Sequence, residues 1–116
     1  MSIKLNKTLK RSITIQINTD KELSRGKNIK EYLIAQVWAS MKRHQSHIIR
    51  LDFHFKSENG NKNRLNYISC MIEARFEGIQ TIVAANKADT IELALSGAIA
   101  KMEIIIETIL GPIKKR

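Results

Sequence analysis

Three histidines, one cysteine and eleven acids are the residues of this 116-residue chain best suited to chemistry, and their spacing brings few of them together. His44 and His47 are three apart but straddle the expected end of a helix. His54 falls on the outward side of an expected strand, so no ligand set for a metal converges. Cys70 stands alone, which excludes an internal disulfide and a cysteine-based zinc site, and its place in an apolar alternation puts it in the core rather than beside a base. No Gly-x-Ser-x-Gly elbow and no phosphate-cradling glycine loop occurs. Asp52 and Glu73 are spaced to face each other across a sheet, but Arg50, Lys56 and Arg75 lie near them in register, which reads as solvated ion pairs rather than a general acid and base. The expectation is therefore a non-enzyme, with no catalytic residue, no metal, no cofactor and no small-molecule substrate.

What remains is positive charge. Lysine and arginine number 20 against 11 acids, a net charge of +9 that draws an anionic partner. Between Lys21 and Arg64 ten cations face only Glu22, Glu31, Asp52 and Glu58, and the two ends add Lys4, Lys7, Lys10, Arg11, Lys114, Lys115 and Arg116. Such side chains neutralise phosphates spaced along a backbone and release counterions, which gives affinity that falls steeply with salt. RNA read by its shape suits this layout.

These charges need a scaffold, and its most regular element comes last. Over residues 88–110, Ile91, Leu95, Ala98, Ile99, Met102, Ile105, Ile106 and Ile109 recur at steps of three and four, the spacing of one helix face. Asp89 or Thr90 can cap the start, and Gly111-Pro112 ends the element. Its polar face carries Asp89, Glu92, Glu103 and Glu107 against Lys101 alone, so the cations of the chain lie elsewhere. Ile104, Ile105 and Ile106 widen the apolar stripe, and Ile104, Ile105 and Thr108 mark a place where a partner or a second copy of the chain could sit.

Upstream, Ile13, Ile15 and Ile17 alternate with polar residues as a half-buried strand. Asn28 and Glu31 have capping-box spacing and open a helix that carries Leu33, Val37, Trp38 and Met41 to its end at Lys42 and Arg43. Ile49, Leu51, Phe53 and Phe55 point inward from the next strand. Asn59-Gly60 centres a hairpin turn, Leu65 to Phe76 returns, and Ile79 to Ala85 completes the sheet. The fold class expected is α+β: a two-layer sandwich in the order β-α-β-β-β-α, with a four-stranded sheet and two helices on one face. A single domain over 12–110 is flanked by a basic extension, 1–11, with a short extended piece at Ile3 and Leu5, and by a basic tail, 111–116. With 43% hydrophobic residues and no apolar run long enough for a bilayer, no membrane partner is expected. The basic start lacks an apolar segment after it and the lone cysteine suits a reducing compartment, so the expected location is cytoplasmic.

Three strings resemble a known family, the ribosome hibernation-promoting factors, also called ribosome-associated inhibitors or sigma-54 modulation proteins. Ile29-Lys30-Glu31-Tyr32-Leu33 is similar to the opening of that family's first helix, Ile82-Val83-Ala84-Ala85-Asn86-Lys87 to its last strand, and Thr90 to Met102 to its second helix. The resemblance spans about residues 12–110 and implies a β-α-β-β-β-α fold that binds small-subunit ribosomal RNA in the channel used by tRNA and mRNA, silencing idle ribosomes under stress. Lys42, Arg43, Lys87 and Lys101 match basic positions of the family. With Lys30 in the first helix and Lys114, Lys115 and Arg116 in the tail, they form the expected RNA-binding set. The chain departs from the family at Gln36, Ala39, Ile104 and Thr108, which replace basic residues on the helices. That implies either a shifted ribosome-binding surface or, as the alternative, a protein-interaction or self-associating module that keeps the fold without the RNA.

Overall fold

Alternation at period two builds most of the molecule. The computed structural model describes residues 2–5, 13–19, 29–41, 47–58 and 67–111. The strands are β1 (Ser2–Leu5), β2 (Ile13–Asn18), β3 (Ile48–Glu58), β4 (Tyr67–Phe76) and β5 (Ile79–Ala88), and the helices are α1 (Ile29–Met41) and α2 (Ile91–Leu110). The sheet runs β1-β2-β3-β4-β5, with β2 and β3 parallel and every other pair antiparallel. A parallel pair needs a long crossover, and α1 lies between β2 and β3 in the chain. The expected order β-α-β-β-β-α is therefore present, and β1 adds a fifth strand at the edge through pairing of Ile3 with Ile15 and Leu5 with Ile13.

One face of the sheet is apolar throughout. Ile15, Leu51, Phe53, Cys70, Ile72 and Ala74 have no solvent exposure, and Leu33 and Val37 of α1 and Leu95, Ala98, Met102 and Ile106 of α2 close over them. Burying a Leu, Ile or Phe side chain stabilises by about 1.5–3 kcal/mol, so this layer holds the fold together. Trp38, expected in the core, packs against it partly buried, as do Tyr32 and Ile34.

Two apolar residues depart from their expected places. Ile49 is 39% exposed and Ile48 is buried in its stead, because the register shifts between Ile48 and Arg50 and the extra residue turns outward. Ile109 keeps the helical spacing but is 49% exposed, in the last turn of α2. Strand β5 also runs three residues past Ala85. The Asn28 cap and the Asn59-Gly60 turn lie outside the described residues. At the start of α2 the Thr90 hydroxyl accepts a bond from the amide of Leu93 at 3.1 Å, and at its end the Gly111 amide donates to the carbonyl of Glu107 at 2.9 Å. No helix among the described residues is long and apolar enough to cross a membrane.

Candidate nucleic-acid interface

The helix-free face of the sheet carries every outward side chain of β2 to β5, and the same alternation that buries Phe53 and Ile72 fixes its charges in rows. At one end Lys56 pairs with Ser69 and Ser69 with Lys87, so two lysines flank a serine across three strands. Lys87 Nζ lies 5.1 Å from the centre of the Tyr67 ring, within cation–π range. The Tyr67 hydroxyl donates to the Glu58 carboxylate and holds it below its usual range against the opposing effect of desolvation, with Ser69, Lys87 and Lys56 adding to the depression. This end thus combines two exposed cations with an aromatic ring, a pairing suited to phosphates and bases.

Toward the other end Arg50 stands opposite Arg75 and Asp52 opposite Glu73. Arg50 Nε donates to both Asp52 oxygens at 3.1 and 3.0 Å, and that bond raises its already high pKa. Asn18 Nδ2 lies 3.3 Å from His54 Nδ1, and His54 Nε2 lies 3.0 Å from Glu73 Oε1. If the amide donates to Nδ1, the ring hydrogen sits on Nε2 and faces the carboxylate. Asp52 and Glu73 do face each other, as expected, but Glu73 takes its partner from His54 rather than from Arg75. Arg50 and Lys56 are six residues apart along β3, about 20 Å, so the two cationic ends can reach separate phosphate ridges.

Of the expected RNA-binding set, Lys87 belongs to the lysine row. Lys101 is exposed on α2 and donates to the carbonyl of Ala85 at 3.1 Å, lying over the free edge of β5. Lys30 falls in the first turn of α1. Lys42, Arg43, Lys114, Lys115 and Arg116 lie outside the described residues. Arg50 and Lys56, two of the ten cations counted between Lys21 and Arg64, stand on this surface, and Arg75 and Tyr67 join it without having been counted among the phosphate-binding residues. Ile104 is 66% exposed, Thr108 is exposed and donates to the Ile104 carbonyl at 2.9 Å, while Ile105 packs against the core.

A mixed sheet with two helices on one face and this order of elements is a fold found in other proteins of known structure. Two solved structures share it. A ribosomal subunit interface protein from Coxiella burnetii is 17% identical, with a TM-score of 0.59, over 84% of this chain and 98% of that one. The N-terminal domain of Protein Y from Thermus thermophilus is 15% identical, with a TM-score of 0.59, over 82% and 97%. No family model and no curated protein sequence matches the chain.

Proposed function

We propose that this chain is a non-enzymatic, cytoplasmic RNA-binding protein that docks on the small ribosomal subunit and inhibits translation when growth slows. The observation that carries the reading is the extent of the shared fold: nearly the whole of a ribosomal subunit interface protein, 98% of it, superposes on this chain. The net charge of +9 supports a polyanionic partner. The helix-free sheet face, with Lys56, Lys87 and Tyr67 at one end and Arg50 and Arg75 at the other, is the surface proposed to meet RNA, together with Lys30, Lys42, Arg43, Lys101 and the basic tail. Because α2 presents acids rather than cations, contact shifts from the helices toward the sheet. Cosedimentation on sucrose gradients with separated subunits tests this. Comigration with the small subunit at low salt is expected, together with reduced output when the protein is added to a translation extract; absence from both subunits at the lowest salt would sink the reading.

A second reading is favoured by one observation: Ile104 and Leu93 are 66% and 59% exposed on the same helix. They suit a protein-interaction module that binds a second copy through α2. Sedimentation equilibrium decides it, since a concentration-dependent dimer lost in Ile104→Asp, with no RNA binding, would replace the first reading with this one.

A further inference from the structure

Arg75 is singled out by the sheet on both sides. Register shifts occur between Ile48 and Arg50 on β3 and between Ala74 and Phe76 on β4, so the pairing with each neighbouring strand is broken beside this one residue. Bulges of this kind re-aim a side chain and gather near sites. Arg75 is exposed, stands opposite the like charge of Arg50 and has no hydrogen-bond or ion-pair partner among the described residues, whereas Arg50 is bonded to Asp52 and Glu73 lies against His54. A pocket of about 280 Å³ opens at this point, lined by Asp52, Glu73, Arg75, Thr81 and Val83, and Val83 is 47% exposed.

We propose that this pocket takes a guanine base, supplied by an unpaired nucleotide of the RNA partner. A bare phosphate is a poor occupant, because Asp52 and Glu73 repel it. The ligand must offer acceptors to a planar guanidinium and, one two-residue step along the strand or about 7 Å away, donors to a carboxylate. Guanine has that layout: O6 and N7 accept the two parallel N–H groups of an arginine, and N1–H and the N2 amine donate to a carboxylate. The second oxygen of Glu73 has no partner among the described residues and is the acceptor assigned here. Val83 gives one face of the ring an apolar wall, and Thr81 adds a hydroxyl. Adenine offers a donor beside N7 where Arg75 needs an acceptor. Cytosine brings one donor group to Glu73 where guanine brings two. The volume has room for one base, and Arg50 stands opposite Arg75 at its edge.

This inference rests on the RNA-binding reading and is tested apart from the ribosome. Fluorescence anisotropy of the full chain with uridine hexamers carrying one central guanine, adenine, cytosine or inosine is the measurement, with guanosine monophosphate as competitor. The guanine hexamer is expected to bind about tenfold tighter than the adenine or cytosine one. Inosine, without the N2 amine, should fall between. Arg75→Lys keeps the charge but loses the planar fork, and it should bring the ratio of guanine to adenine affinity down to about one; Glu73→Gln should lower the same ratio, whatever it does to the affinity common to all four hexamers. Competition by the monophosphate alone at the same concentration as the hexamer would move the site to a free nucleotide and overturn the assignment to RNA. Equal affinity for the four hexamers, or a guanine preference that survives Arg75→Lys, overturns the pocket even if the protein cosediments with ribosomes. Failure to cosediment with guanine preference intact would instead remove the ribosome and leave the pocket standing.

Discussion

The side-chain amide of Asn86 fills the space that a Cβ on Gly97 would occupy. Its Nδ2 donates to the carbonyls of Leu93 at 3.3 Å and Ala94 at 3.5 Å, so strand β5 grips the first turns of α2 across a residue with no side chain. Gly97→Ala should gain about 1 kcal/mol of helix propensity yet lose more to the displaced asparagine, for a net destabilisation of about 1–3 kcal/mol. Urea denaturation would show it. Asn86→Ala combined with Gly97→Ala should be less destabilised than the two single changes predict, because the clash then has no partner; simple additivity would refute the contact.

Burial pushes the Cys70 thiol up to about 12, through loss of solvation for the thiolate. The unfolded chain gives up this proton near its ordinary value of 9.0, so above that pH the folded state holds more protons and stability falls as pH rises. The contribution is intact below pH 9 and lost between about 9 and 12, at up to about 1.4 kcal/mol per pH unit. Between pH 8 and pH 10.5 wild type should lose more stability on denaturation than Cys70→Ala, so that any advantage of the thiol at pH 8 shrinks or reverses at the higher pH. In the native protein at pH 8 the thiol should resist alkylation and react only on unfolding.

Loss of the α2 cap is a smaller and separable effect. Thr90→Ala leaves the Leu93 amide without its acceptor and should cost about 1 kcal/mol, read as a drop in melting temperature of about 4 °C. Thr90→Asp should restore most of it.

Lys56 and Lys87 are exposed and flank Ser69, so their removal should leave the fold intact. In RNA-binding titrations each change to alanine should reduce the salt slope by about 1. Tyr67→Leu should weaken binding without changing the slope, since stacking releases no counterion. An unchanged slope in Lys56→Ala and Lys87→Ala would take the lysine row out of the interface.

Much of this architecture was readable from periodicity alone. Ile13, Ile15 and Ile17, then Leu51, Phe53 and Phe55, and the step of three and four from Ile91 to Ile106 all lie where alternation and helical spacing put them, because burial of one face enforces register. Ile49 was misplaced because a bulge moves a residue across the sheet without leaving a compositional trace. The pairing of β1 with β2 depends on a strand of four residues, too short for a clear alternation. Arg50 and Arg75 were visible as outward residues, but their facing positions depend on a pairing register that a single sequence does not print. The lysine row across β3, β4 and β5 was hidden for the same reason.

The most direct test of the account is the affinity of the purified chain for small ribosomal subunits measured across a salt series. The predicted plot of log affinity against log salt is linear and steeply negative, with a slope of about −3 or beyond, as several phosphates at about −0.7 to −0.9 each would give. A slope near zero, or no binding at the lowest salt, would contradict the claim that a basic sheet face seats this protein on RNA.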